Sequence, residues 1–268
     1  MQNRFLHMEI AVNAVVIEKR GAVAVLRLNQ PETMNAISPD IKAGLGDAIP
    51  KLVDDPAVRC LLITGTGNAF CAGGDLRNMK DRRAPQVMER MQETYAWVER
   101  LVTGRTPVVA AVNGAAAGAG FSLAMLCDLV LVSDGASFRA GFPNIGAAPD
   151  LGLAYTLPRI IGVQRARELL LTNRRVTAAE AVELGIALRV VPAAGLMDEA
   201  MALATTVATG PSLSLGLTKM LLNEALGPTF AAFLEKEAMA QAVAFGGDQF
   251  AEGVSAFLEK RKPDFTAI

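Results

Sequence analysis

Two stretches rich in glycine and alanine each follow an apolar run, and such stretches can bring backbone N–H groups close to a ligand. The first is TGTGNAFCAGGDLRNM at 64–79, in which three small residues, Ala72–Gly74, precede Asp75. The second is NGAAAGAGFSLAMLCD at 113–128, which continues into an apolar segment. Small residues suit this role because a larger side chain would block the close approach of the backbone. The ligand of the second stretch is a phosphate, a dinucleotide or a carbonyl oxygen that becomes negative.

The two turns can act together if they lie at the carboxyl ends of neighbouring buried strands. One backbone N–H group from each turn then points to the same oxygen atom, which is the arrangement of an oxyanion hole. A single donor of this kind stabilises the transition state by about 2.7–4 kcal/mol in a site that excludes water. The pair of turns therefore favours a carbonyl oxygen as the ligand.

Two other interpretations of the second stretch stay open at this point. Gly114, Gly118 and Gly120 follow a predicted strand, and Asp134 lies about 20 residues beyond them, where an acidic residue would bind the ribose of a dinucleotide. One observation argues against a dinucleotide-dependent reductase. Tyr155 is followed four residues later by an arginine, where the short-chain reductases have a lysine. The simpler alternative is that small residues let a helix pack closely on the sheet.

The content of histidine and cysteine excludes several kinds of catalysis. His7 is the only histidine, so a Ser-His-Asp or Cys-His mechanism has no suitable base. Acid–base chemistry then falls to carboxylates, tyrosines, lysines or water. Cys60, Cys71 and Cys127 are odd in number, lie in apolar surroundings and lack the spacing of metal ligands. We therefore expect reduced thiols in the core and no metal site.

Length and charge favour a small-molecule partner. The chain of 268 residues suits one large domain, or a domain with an appendage, and its 26 basic and 27 acidic side chains nearly cancel. This balance predicts no nucleic-acid partner and no anionic membrane partner. No segment offers the ~20 uninterrupted apolar residues of a membrane span, and the N-terminus lacks the apolar core of a signal peptide. The predicted location is the cytoplasm.

The pattern of apolar residues predicts the elements that position the two turns. A hairpin is expected over 11–29, and Ser38 is a good N-cap for a helix that ends near Asp54. Three uninterrupted apolar runs have the composition of buried parallel strands: CLLITG, PVVAAVNG and CDLVLVSD. The first 140 residues are thus an alternating α/β core. From about Pro149, helical periodicity dominates, with one late strand at ALRVVP.

Five ordered blocks closely resemble the crotonase family of enoyl-CoA hydratases and isomerases. They are LNQPETMNAIS, LLITGTGNAFCAGGDL, PVVAAVNGAAAGAGFSLAMLCDLVLVS, LPRIIGVQRARELLLTNRRVTAAEAVELGI and FLEKRKPDF. The resemblance implies an α/β fold built as a spiral of ββα units over 1–200. It also implies a C-terminal helical region at 201–268 that contacts CoA and mediates a homotrimer or a dimer of trimers.

The resemblance also assigns functions to individual residues. It implies that the N–H groups of Gly74 and Ala119 bind the thioester oxygen of an acyl-CoA substrate, and that no separate cofactor is needed. CoA contacts are assigned by the same route to five residues: Ala72, Asp75, Leu76, Phe257 and Lys260. A solvated helix end remains an equal alternative for Lys260. Asp75 and Asp128 also fit structural roles, and four basic residues after Asp75 fit either CoA phosphates or a solvated loop: Arg77, Lys80, Arg82 and Arg83.

The carboxylates depart from the pattern of the hydratases. Hydration asks for two carboxylates that flank a water molecule, and at the two family positions this chain has Ser122 and Phe142. Asp150 occupies the position where several family isomerases carry a catalytic aspartate, and a single base is enough for isomerisation. We therefore predict a double-bond isomerase with Asp150 as its base. An Asx-turn or a helix cap is the alternative for Asp150.

Two other functions stay open from the sequence alone. One is a hydratase with a remodelled site, and the other is a homologue that binds acyl-CoA without catalysis. The acyl group is not specified by the sequence, but the segment at 76–101 is expected to form the lid and helix over it. Four side chains there fit an adaptable pocket or plain core: Met79, Met88, Met91 and Trp97.

Overall fold

The computed structural model describes residues 13–78 and 83–268 as two sheets surrounded by helices. The strands are β1 (Val15–Arg20), β2 (Val23–Leu28), β3 (Cys60–Gly65), β4 (Ala69–Cys71), β5 (Val108–Val112), β6 (Ala115–Ala117), β7 (Leu129–Ser133), β8 (Ser137–Arg139), β9 (Val176–Thr177) and β10 (Arg189–Val191). The helices are α1 (Pro39–Asp54), α2 (Ala84–Thr103), α3 (Ala119–Met125), α4 (Leu153–Ile161), α5 (Val163–Thr172), α6 (Ala178–Glu183), α7 (Leu196–Ala208), α8 (Ser212–Glu224), α9 (Phe230–Phe245) and α10 (Asp248–Leu258).

The larger sheet confirms the predicted hairpin and the buried parallel strands. Its order is β1-β2-β3-β5-β7-β10, with β1 antiparallel to β2 and every later neighbour parallel. Successive residues of β3 face opposite ways: Leu61 and Ile63 belong to one apolar core, and Leu62 belongs to the other. Both faces of the strand are therefore covered, which is why its sequence shows no alternation of polar and apolar residues.

Helix α1 begins as the sequence predicts. The hydroxyl of Ser38 accepts a hydrogen bond from the N–H of Ile41 at 3.2 Å, and Pro39 is the first helical residue. This arrangement satisfies one of the free N–H groups at a helix start, and proline loses nothing there because its missing N–H would have no helical partner.

The smaller sheet is formed by strands of two or three residues in the order β4-β6-β8-β9. Each of its first three strands follows a strand of the larger sheet after a short turn and leads to a helix. The chain thus repeats the unit strand, short strand, helix, as in the ββα spiral implied by the resemblance. The strands of this second sheet are not predicted from the sequence, because three residues are too few to show a period.

Of the last four helices, α7 covers the larger sheet, and α8–α10 leave an apolar surface. Helix α7 packs on β3 and β5, and its residues Leu196, Ala200 and Ala204 join the core there. Many apolar side chains of α8–α10 remain exposed in the single chain: Leu222, Phe230, Leu234, Met239, Val243, Phe245, Phe250, Val254, Phe257 and Leu258.

Helix length and composition bear on membrane insertion. Within the two described segments, no single helix is long and apolar enough to cross a membrane. Two neighbouring helical segments are long and apolar enough only when they are taken together, Ala193–Ala208 and Ser212–Glu224. The chain bends by 103° between them.

The three cysteines are free and buried, which confirms that they are core thiols. Burial raises the pKa of Cys60 and of Cys71 to about 12 and raises the pKa of Cys127 as well. They are therefore protonated and unreactive at neutral pH.

Candidate active site

The two small-residue turns lie against each other, backbone to backbone. A Cβ atom on Gly73 would lie 2.9 Å from the carbonyl oxygen of Ala117 and 3.6 Å from the nitrogen of Ala119. A Cβ atom on Gly120 would lie 2.0 Å from the carbonyl oxygen of Cys71. Gly120 therefore cannot be replaced without separating the turns, and the sequence prediction that close approach requires glycine holds at these positions.

The amide groups of Gly74 and Ala119 are available to a ligand. The Gly73 carbonyl accepts a hydrogen bond from the Ile37 N–H, and the Asp75 N–H donates to the Ile37 carbonyl, so the Gly74 N–H between them points the other way. Ala119 is the first residue of α3, where an N–H has no partner within the helix. Across the described segments, neither of these two N–H groups donates a hydrogen bond to another residue.

Both residues line a cavity of about 520 Å³ that Asp150 also lines. Two helices form its long walls, α1 with the turn before it and the middle of α2. The remaining lining residues are Ile37, Ser38, Pro39, Lys42, Ala43, Gly46, Asp75, Arg90, Met91, Glu93, Thr94, Trp97 and Leu151. The structure thus brings together the three residues assigned to catalysis: Gly74, Ala119 and Asp150.

A strained turn holds Asp150 at this cavity. Leu151 follows it with φ of 45°, a left-handed conformation that is unusual for a bulky residue, and is 2% exposed. Gly152 continues the turn with φ of 77°. The N-cap of α4 is Gly152 and not Asp150, so helix capping does not account for the aspartate. Local strain that the core maintains is a frequent feature of functional sites.

The Asp150 carboxyl is buried and incompletely paired. Its Oδ1 atom meets no hydrogen-bond partner among the described residues. Burial raises the pKa of Asp150 from 3.8 to about 6. The group remains ionised at neutral pH, and its pKa is close enough to neutrality for efficient proton transfer. Burial and then the negative charge of Asp150 raise the pKa of Tyr95 on α2, so the phenol stays protonated.

Two further carboxylates line the cavity, and each has a cationic partner. Glu93 Oε2 lies 3.0 Å from Lys42 Nζ, which also donates to the carbonyl of Arg90. Asp75 Oδ1 lies 2.9 Å from Arg77 Nε and accepts the Arg77 N–H, forming a local turn. Of the three carboxylates, Asp150 is therefore the one with a buried, unpartnered oxygen among the described residues.

The positions at which a hydratase has its glutamates hold no ionisable group. Ser122 is fully buried, and its hydroxyl donates to the Gly118 carbonyl one helical turn earlier at 3.2 Å. Phe142 is also buried, at 6% exposure.

The residues assigned to CoA lie in two places. Ala72, Asp75 and Leu76 follow β4 beside the cavity; Ala72 donates its N–H to the Met34 carbonyl, and Leu76 is half-exposed. Phe257 lines a separate apolar cavity of about 360 Å³ among the C-terminal helices, and Lys260 follows the end of α10. Met79, Lys80, Arg82 and His7 lie outside the described residues.

Part of the cavity wall is not predicted from the sequence. Of the side chains expected there, Met91 and Trp97 line the cavity, and Met88 is 63% exposed. Lys42 and Glu93 are not predicted, because an ion pair between two helices depends on how the helices pack and is not evident from either sequence alone. Among the described residues, no group of three or more His, Cys, Asp or Glu side chains is placed to hold a metal ion.

Comparisons with known proteins agree with this geometry. A family model described as enoyl-CoA hydratase/isomerase matches residues 18–267. The 1,2-epoxyphenylacetyl-CoA isomerase of Escherichia coli is 40% identical, over 91% of this chain and 95% of the relative. A probable enoyl-CoA hydratase of Mycobacterium bovis is 35% identical, over 94% of this chain and 97% of the relative. The crystal structure of an enoyl-CoA hydratase from Polaromonas matches with a TM-score of 0.88 and 34% identity, over 93% of this chain and 98% of that one.

Proposed function

The chain belongs to the enoyl-CoA hydratase/isomerase family, the crotonases, and from this premise we propose that it is an isomerase that moves the double bond of an enoyl-CoA. The family supports an acyl-CoA thioester as the substrate. It contains both hydratases and isomerases, so the choice between them rests on the carboxylates of this chain.

The proposed reaction uses one base and one oxyanion hole. The Asp150 carboxylate removes a proton from C2 of a 3-enoyl-CoA, and the electrons of that C–H bond pass into a dienolate. Negative charge then develops on the thioester oxygen, where the N–H groups of Gly74 and Ala119 donate hydrogen bonds. The protonated Asp150 returns the proton to C4, which leaves a 2-enoyl-CoA and the original carboxylate. A positioned base of this kind contributes about 10²–10⁴-fold in rate.

The observation that carries this proposal is that Asp150, whose carboxyl keeps a buried, unpartnered oxygen, lines the same cavity as Gly74 and Ala119. Solvent-deuterium exchange into a 3-enoyl-CoA tests it. Asp150→Asn is expected to stop the exchange while the binding of a saturated acyl-CoA, measured by calorimetry, changes little. Exchange at the native rate would remove Asp150 from the mechanism. Intact binding without exchange in the native protein would favour a homologue that has lost catalysis.

A hydratase is the second candidate, and one relative supports it by its description as a probable enoyl-CoA hydratase. The available carboxylates argue against it, because Ser122 and Phe142, at the two family positions, carry no group that ionises at neutral pH, and Glu93 is paired with Lys42. Weak or absent hydration of crotonyl-CoA is expected. Rapid hydration would show that Glu93 or another group activates water.

We also propose that the region at 201–268 forms the contacts of a homotrimer or a dimer of trimers. The exposed apolar side chains of α8–α10 support this, since large apolar patches on a single chain mark interaction surfaces. In such an assembly, Phe257 and Lys260 of one subunit reach the CoA bound by a neighbour. Light scattering of the purified protein measures the number of subunits.

A further inference from the structure

Trp97 lines the large cavity and carries a buried hydrogen-bond donor. The side chain is 2% exposed, and its Nε1–H meets no acceptor in the part of the chain that the structure describes. A buried donor without a partner destabilises the folded state, so folded proteins rarely keep one without a reason. The donors proposed for the thioester oxygen are the N–H groups of Gly74 and Ala119, and Trp97 is not one of them.

Gly46 faces the same edge of the indole from the opposite helix. A Cβ atom on Gly46 would lie 3.7 Å from Trp97 Cδ1, the carbon bonded to Nε1, and both residues line the cavity. Glycine in the middle of a helix destabilises the helix relative to alanine, and no φ requirement or backbone clash demands glycine at this position of α1. The glycine keeps the space beside the indole N–H clear of a side chain.

We propose that Trp97 Nε1–H selects acyl groups that carry a second oxygen acceptor, such as a keto oxygen, in addition to the thioester oxygen. This inference rests on the proposed acyl-CoA function and specifies its substrate class. The acceptor enters between α1 and α2 beside Gly46, where it satisfies the orphaned donor. Acyl groups of hydrocarbon alone leave that donor unpaired and bind less tightly, because a site built to hydrogen-bond a group discriminates against an analogue that lacks it.

The test compares unreactive ligands, so that it does not depend on isomerase activity. Calorimetry gives the dissociation constants of hexanoyl-CoA and of its 3-oxo, 4-oxo and 5-oxo analogues. At least one oxo ester is expected to bind roughly fivefold to tenfold more tightly than hexanoyl-CoA, the size of one hydrogen bond. Trp97 is the only tryptophan, so the fluorescence of the protein reports on this indole alone, and its emission should shift with that ester and not with hexanoyl-CoA.

Two variants separate the hydrogen bond from the fold. Trp97→Phe removes the donor and is expected to bring the preference for the oxo ester to about one. Gly46→Ala keeps the donor but fills the space beside it, so it should reduce the preference for the oxo ester. Because alanine has a higher helix propensity than glycine, the same substitution should raise the melting temperature. Gly135→Ala, on an open turn, is the matched control and should retain the preference.

The possible failures are distinguishable. Equal binding of all four esters by the native protein, or a preference that survives in both variants, would overturn the role of Trp97 and leave the acyl-CoA function standing. If none of the esters bound, the acyl-CoA function would fail and this inference with it.

Discussion

Lys219 Nζ lies 2.8 Å from Asp128 Oδ2, and this ion pair connects helix α8 to the turn between α3 and β7. The ammonium group is buried and also donates to the carbonyl oxygens of Leu101 and Thr106. Asp128 further accepts the N–H of Val108 at the start of β5. Burial raises the pKa of Asp128, and the nearby Lys219 opposes this rise. One cluster therefore joins the C-terminal region to the core, which confirms the structural role expected for Asp128.

Loss of the lysine should destabilise the protein. Lys219→Met leaves the partly exposed Asp128 carboxylate without its cation and the carbonyls of Leu101 and Thr106 without their donor, and we expect the free energy of unfolding to fall by about 2 kcal/mol. Denaturant unfolding measures this change. Lys51→Met removes an exposed lysine paired with Asp47 and should change it by less than about 1 kcal/mol. Similar effects of the two substitutions would mean that the Lys219–Asp128 pair contributes little.

The rate of exchange should depend on pH through Asp150. Only the ionised carboxylate can accept a proton, and the pKa of this group is about 6 in the folded protein. The rate of deuterium exchange into a 3-enoyl-CoA is therefore expected to rise with pH and to level off above about 7. A profile that is flat between pH 5 and pH 7 would contradict the assignment.

The same pKa predicts a stability gain for Asp150→Asn. The folded protein holds this proton more tightly than the unfolded chain, whose pKa stays near 3.8. Stability therefore falls as pH rises from about 4 to about 6, by up to about 3 kcal/mol, and the loss persists at neutral pH. Asp150→Asn should raise the melting temperature at pH 7 and show less advantage at pH 4. The exposed Asp198→Asn serves as the control at both pH values.

The contact between the two turns is tested at Gly120. An alanine there meets the Cys71 carbonyl, so the turns must separate and the amides of Gly74 and Ala119 lose their alignment. Since misplacement by about 1 Å costs ~10²-fold, we expect kcat/KM to fall by about 100-fold. Gly135→Ala adds the same methyl group where nothing lies within 4 Å and should leave kcat/KM unchanged.

Ser122→Ala should leave isomerisation nearly intact. The Ser122 hydroxyl is committed to the Gly118 carbonyl of its own helix, so its removal is expected to change kcat by less than about threefold. Steady-state kinetics on a 3-enoyl-CoA check this. A loss greater than tenfold would place the hydroxyl in the proton transfer.

Much of the fold is predictable from short segments, whereas the site is only partly so. Local sequence predicts the hairpin, the Ser38 cap, the buried strands and the core cysteines. These features depend on the apolar pattern and on the propensities of residues that are close together in the chain. The glycines of the two turns also signal close backbone approach. The smaller sheet escapes prediction because its strands are too short to carry a pattern.

The family blocks, the strands of the larger sheet and the absence of carboxylates at the positions of Ser122 and Phe142 can be read from the residues alone. Only the folded chain shows that Asp150 keeps an unpaired oxygen while Lys42 pairs with Glu93, and that the Trp97 side chain lies opposite Gly46. This difference arises because burial and pairing depend on groups far apart along the chain. Their pKa values and unmet hydrogen bonds exist only once folding has excluded water from between them.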